Sequence, residues 1–162
     1  MATWSEAFAV QAASDLDVYE RLAQSPLPQS HSLHYLQMWL EKLCKAYVHG
    51  VNLDVLKTTH NVVAKVLPRL INMHWRRLGL ARQPDMTELR ALCREIDLLH
   101  PQVNDDNRRP ENVEYPWVGS AGDVEIPAEW KFPLTHRLYS NAGRMLLKAS
   151  SQLTRNPAVF IR

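Results

Sequence analysis

Between His31 and Gly50 the chain reads HSLHYLQMWLEKLCKAYVHG, and this stretch limits the possible folds more than any other. Leu33, Leu36, Leu40, Leu43, Cys44 and Tyr47 recur at i, i+3, i+4 and i+7, which places them on one face of an α-helix. At about 100° per residue, Tyr35, Trp39 and Ala46 lie beside that face and widen it to about half the circumference. A helix lying on a surface needs a narrower stripe. One this broadly apolar belongs in the middle of a bundle, covered on two sides. His34, Gln37, Glu41 and Lys45 form its polar side, with Glu41 and Lys45 in the favourable i, i+4 order. Met38 also lies on that side and marks a candidate contact surface. Ser30 is the expected cap and Gly50 the expected terminator.

The other elements follow from the same rules. Thr3 and Glu6 form a capping box that starts a first helix running to about Gln24. Its buried stripe is Trp4, Phe8, Ala12, Leu16, Tyr19 and Leu22, with Asp15, Asp17 and Glu20 outward. Ser25-Pro26-Leu27-Pro28 ends it. A connector from Val51 to Thr59, with room for one turn at Asp54 to Lys57, leads to a third helix from about His60 to Leu78. Thr58 or Thr59 is its expected cap, Gly79 its terminator, and Pro68 should kink or split it. Val63, Val66, Leu67, Leu70, Ile71 and His74 carry its inner face. Asp85 and Glu88 open a fourth helix with Leu89, Leu92, Cys93, Ile96 and Leu99 inward, which stops at His100-Pro101.

From Pro101 to Pro133 no helical period appears. The segment holds Tyr115, Trp117, Trp130 and Phe132, so an ordered excursion pinned by those aromatics is expected, with a short hairpin around Val124 to Ile126. A fifth helix spans about Leu134 to Gln152, with Leu138, Ala142, Met145, Leu146 and Ala149 inward, and the apolar tail should fold back. The expectation is one all-α, up-and-down bundle of about five helices over residues 1–162.

Five glycines in 162 residues, and few Val, Ile or Thr runs, agree with long helices. Cys44 and Cys93 both fall on apolar faces and suit a reducing, cytoplasmic compartment. The first residues, MATWSEAF, lack the basic start and apolar core of a signal peptide, and no apolar run is long enough to span a membrane.

Net charge is +2, so any electrostatic function must come from local clustering. Between Asp54 and Asp85 there is no carboxylate, while Lys57, Lys65, Arg69, Arg76, Arg77 and Arg82 occur there with His60 and His74. Lys65, Arg69, Arg76, Arg77 and Arg82 are therefore the candidate phosphate or nucleic-acid ligands, because phosphate needs several cationic donors close together. The competing reading is internal neutralisation by Asp97, Asp105, Asp106, Glu111, Glu114, Asp123, Glu125 and Glu129. No catalytic triad, HExxH, P-loop or GxGxxG is present. His31 and His34 lack a third metal ligand, so neither a metal nor a cofactor is expected. His60 reads as a helix-start residue rather than a general base.

Trp4, Asp15-Leu16, Gln37, Glu41-Lys42, Lys45-Ala46 and Thr59-His60-Asn61 together resemble the opening pattern of the HEPN family, the higher eukaryotes and prokaryotes nucleotide-binding domains. The Glu114-Tyr115-Pro116-Trp117 step is similar to the Tyr-Pro segment many members place before their last helix. The resemblance implies an all-α, usually dimeric bundle linked to toxin–antitoxin and phage-defence systems. Members act as metal-independent ribonucleases or as partners of minimal nucleotidyltransferases. Ribonuclease members carry an Arg-x4–6-His motif late in the chain, the Arg holding phosphate and the imidazole moving the 2′-hydroxyl proton. Two spacings match here, Arg94 with His100 and, as the alternative, Arg69 with His74, whereas the last helix has His136 before Arg137. The expected function is a homodimeric binding or partner module contacting RNA, nucleotide or a nucleotidyltransferase-type protein, with a ribonuclease as the alternative.

Overall fold

The computed structural model describes residues 3–48, 58–103 and 111–160. Their architecture is an all-α helical bundle with one two-stranded hairpin. Gly50 and the turn expected at Asp54 to Lys57 lie outside the described residues.

Helix α1 (Trp4–Ala23) opens with the expected capping box, Thr3 and Glu6 each bonding the other's backbone N–H. Helix α2 (Gln29–Tyr47) returns antiparallel to it, because Ser5 Oγ donates to Ala46 O near one end and the Tyr19 ring stacks on Trp39 near the other. The stripe expected for α1 needs two corrections. Trp4, in the first turn, is 56% exposed, its ring tilted against Phe8 of the next turn. Asp15 is buried rather than outward: three residues after Ala12, it shares the inner face and bonds Lys42 Nζ at 2.6 Å. Nor does Ser30 cap α2. The helix starts at Gln29 after Pro28, without a side-chain cap, and Ser30 is buried inside it.

The breadth of α2 has the expected consequence, and more. Leu33, Leu36, Trp39, Leu40, Leu43, Cys44 and Ala46 are buried, and so are Gln37, Glu41 and Lys45 on its polar side. The helix is wrapped by α1 and by three later helices: α3 (Val63–His74), α4 (Met86–Asp97) and α6 (Asn141–Arg155). Trp39 Nε1 donates to Thr154 Oγ1 of α6 at 2.8 Å, so the indole keeps its hydrogen bond inside the core.

Helix α3 starts later than expected, at Val63, and neither Thr58 nor Thr59 caps it. Its donors are met from another element: Asp97, at the end of α4, accepts from Val63 N and Ala64 N at 3.1 and 2.9 Å. Pro68 does not split α3, which runs unbroken through it. Turns then continue to Leu78 and close with Leu80 N bonding Trp75 O and Gly79 N bonding Arg76 O, a Schellman pattern around Gly79 at φ 65°. Asp85 caps α4 as expected, accepting from Thr87 N and Glu88 N.

After a short 3-10 turn, Pro101–Val103, the excursion re-enters as a hairpin of β1 (Trp117–Val118) and β2 (Val124–Glu125), with Trp117 opposite Glu125. Trp117 and Phe132 are buried, and Trp130 meets Trp117 edge to face at 5.5 Å. Tyr115 pins nothing: it is 62% exposed, as Asn112 turns the backbone by accepting from Glu114 N and Tyr115 N. The fifth helix is two: α5 (Pro133–Leu138) and α6, broken at Tyr139-Ser140, where Ser140 accepts from Gly143 N as a new cap. The tail folds back as α7 (Pro157–Phe160).

Candidate functional site

The buried side of α2 is a ladder with a period of four. Gln37 Nε2 donates to Glu41 Oε2 at 2.7 Å, and Lys45 Nζ donates to Glu41 Oε1 at 2.6 Å. Side chains four apart stack along one helix face, so this sequence spacing alone brings the three together. Glu41 and Lys45 are 6% and 4% exposed, so each depends on the other for compensation. His60, just before α3, brings Nδ1 to 3.3 Å from Glu41 Oε2. A carboxylate only accepts, so Nδ1 carries the hydrogen, and in the neutral ring the lone pair is on Nε2.

His100, just after α4, lies flat on His60, with centroids 3.9 Å apart and planes 8° from parallel. Gln102 N–H donates to its Nδ1 at 3.2 Å, which leaves the neutral ring with its hydrogen on Nε2. The two stacked imidazoles are thus held in opposite tautomers. His34, one turn before Gln37, pairs at 3.7 Å with Glu114 of the excursion.

Burial pushes the Glu41 carboxyl up, but the Lys45 ammonium, the Gln37 amide and His60 together hold it below the ordinary carboxylate range. Burial, then the neighbouring His60, lowers His100. Burial raises Asp97 to about 7 against the pull of its two backbone bonds, with Glu41 adding and Lys65 subtracting. Burial likewise raises Cys44 and Cys93, which makes both thiols inert.

The Arg–His spacings are not assembled into pairs. Arg94 is exposed on α4, His100 lies beyond that helix's end, and no hydrogen bond or ring contact joins them. Arg69 is exposed, while His74 is half-buried against the Phe160 ring at 5.4 Å. Five residues along a helix are about 140° apart, so these two side chains leave α3 in different directions.

The cations of the α3 region fall into groups. Lys65 and Arg69 line a recess of about 410 Å³ with Ala64, Pro68 and Arg90, the last from antiparallel α4. Arg76 lies over the Trp75 ring, and Arg77 covers Phe160 while donating to Val159 O. Arg82 lines a cavity of about 720 Å³ together with Arg144 and Lys148 of α6, and Asp85 and Glu88 of α4. Among the described residues, no ion pair engages Lys65, Arg69, Arg76, Arg77 or Arg82. Glu114 goes to His34 and Glu95 to Arg137, whereas Asp97 does turn to the basic helix, accepting from Val63 N and Ala64 N with Lys65 near it. Asp105 and Asp106 lie outside the described residues.

Sequence reasoning missed Arg90, Arg144 and Lys148, since only packing brings Arg90 beside Lys65 and Arg69, and Arg144 and Lys148 beside Arg82. It missed the role of His60 because Glu41 and His100 are 19 and 40 residues away. The i, i+4 series from Gln37 was the one local sign of the junction. Among the described residues, no group of three or more His, Cys, Asp or Glu could hold a metal ion. Among them, too, no helix is long and apolar enough to cross a membrane. Compared with known proteins, the chain matches no family model, no curated protein and no solved structure.

Proposed function

We propose that the chain is a HEPN-like binding module of the toxin–antitoxin or phage-defence type, and that its anionic partner is RNA, gripped along the basic flank of α3. The observation that carries this reading is the recess where Lys65, Arg69 and Arg90 converge from two antiparallel helices, with no carboxylate among its lining residues. Several unneutralised donors around one concavity are what a phosphodiester backbone needs. Arg76 and Arg77 add exposed cations further along the chain, while Arg82 belongs to the separate cavity with Asp85 and Glu88. A nucleotide would call on the same donors, and a nucleotidyltransferase-type partner would have to present an acidic face to them. A cytoplasmic homodimer completes the proposal. The surface offered for it is the apolar groove of about 900 Å³ between α1 and α6–α7, lined by Ala9, Val10, Ala13 and Ala158.

A second reading, a metal-independent ribonuclease, draws support from the opposite tautomers of the stacked imidazoles. His60 Nε2 would take the 2′-hydroxyl proton as O2′ bonds to phosphorus. The P–O5′ bond would break, and His100 Nε2–H would give its proton to O5′. Incubating the purified protein with total tRNA and EDTA separates the two. Salt-sensitive retention of intact tRNA supports the binding module. Cleavage that His100→Ala abolishes and His74→Ala leaves intact supports the nuclease and rejects the binding-only reading. Neither retention nor cleavage rejects both.

A further inference from the structure

The stacked imidazoles sit where the chain leaves α4 and where it enters α3. We propose that His60 and His100 form a proton-driven latch, which holds these two segments together while at least one ring is neutral and parts them when both are charged. The inference does not depend on what the basic flank binds.

The groups around the pair are few. Helix α2 presents Gln37, Glu41, Lys45 and His34. The excursion presents Glu114, which pairs with His34. Helix α4 ends in Asp97, bonded to Val63 N and Ala64 N, and α3 brings Lys65 towards Asp97. Glu41 binds Lys45 through Oε1, and its Oε2 takes the Gln37 amide and also faces His60. A proton on His60 is therefore met by a carboxylate oxygen 3.3 Å away.

A charge on His100 is not. In its tautomer Nε2 already holds a hydrogen, so an added proton must go to Nδ1, which the Gln102 N–H occupies. Protonation would set N–H against N–H and break that bond. It would also place two cations face to face across 3.9 Å. Burial and His60 already disfavour the charged form of His100. Parting the rings relieves both conflicts. It frees Pro101–Val103 from the entry to α3, and with it the bond of Val113 N to Leu99 O.

The test is an NMR titration of the histidine rings of the whole chain, from about pH 8 to about pH 5, with amide protection factors measured at both ends. The latch predicts coupled titrations of His60 and His100, with His100 charging last. The rings then separate, and protection at Asn61–Ala64 and Leu98–Val103 falls by about tenfold or more while Leu36–Leu43 of α2 keeps its own. In His60→Gln, His100 titrates in one step at a higher pH, and the loss of protection is shallower. Independent titrations with the rings still stacked at about pH 5 would overturn the proposal, and so would an equal loss of protection across α2, which is global acid unfolding. The wild-type titration decides the matter even if His60→Gln fails to fold.

Discussion

Lys45 and Glu41 are a buried ion pair, and the worth of such a pair shows when one partner goes. Lys45→Ala leaves an uncompensated carboxylate in the core, so urea unfolding should show a loss of about 3–5 kcal/mol, whereas Lys45→Met with Glu41→Gln should cost far less. Gly143 is held to glycine by space. A Cβ there would lie 2.3 Å from Arg137 O and 2.5 Å from Leu138 Cα, both backbone atoms at the α5–α6 break. Gly143→Ala should therefore destabilise by about 1–3 kcal/mol, read as a lower urea midpoint. Asp97 gives a pH dependence with an unusual sign. Its folded pKa, about 7, lies above the ordinary 3.8, so between these values the folded chain holds a proton that the unfolded chain lacks. Its contribution to stability therefore grows as pH falls from about 7 towards 4. His100 works against it, since a lowered histidine pKa means stability lost as pH falls below the ordinary 6.5. Asp97→Asn should remove the first effect and leave the second, so urea midpoints measured from about pH 7.5 to about pH 5 should fall more steeply on acidification than in wild type.

Among elements, the tail offers the cleanest test. Phe160 covers His74, and burial followed by Arg77 lowers that imidazole. Phe160→Ala should move the His74 pKa up towards 6.5, measured by NMR, with little change in the rest of the bundle. The helices themselves were largely legible in the sequence. Thr3 with Glu6, Asp85, and the proline pair after α1 are local signals, and each acts in the structure as its chemistry requires. What was not legible depended on partners far along the chain. Asp97 replaces Thr58 or Thr59 as the cap of α3 from more than thirty residues away. The break at Tyr139-Ser140 hides because Leu138, Ala142, Leu146 and Ala149 keep a helical period across it. The polar side of α2 reads as solvent-facing in any periodicity argument, because periodicity cannot show that Lys45 finds its counterion, and His60 a hydrogen-bond acceptor, in Glu41.

Across the bundle as a body, charge separates into two kinds. One kind is buried and internally balanced: Glu41 with Lys45 and His60, and Asp15 with Lys42. The other lies outside and unbalanced: Lys65, Arg69 and Arg90 around one recess, with Arg76 and Arg77 further along α3 and beyond. Of the candidate phosphate ligands, Lys65 and Arg69 were legible from the carboxylate-free stretch, and the structure places them side by side. Arg82 belongs to a different cavity, shared with Asp85 and Glu88. The RNA-binding proposal rests on this separation, and counterion release reads it out. Affinity for single-stranded RNA, measured by fluorescence anisotropy across a salt series, should fall linearly on logarithmic axes. Lys65→Glu with Arg69→Glu, in a protein whose circular dichroism is unchanged, should weaken binding and reduce the slope by about 0.7 for each phosphate no longer neutralised. An unchanged affinity and slope in that double variant, or wild-type binding indifferent to salt, would refute the assignment of the basic recess to RNA.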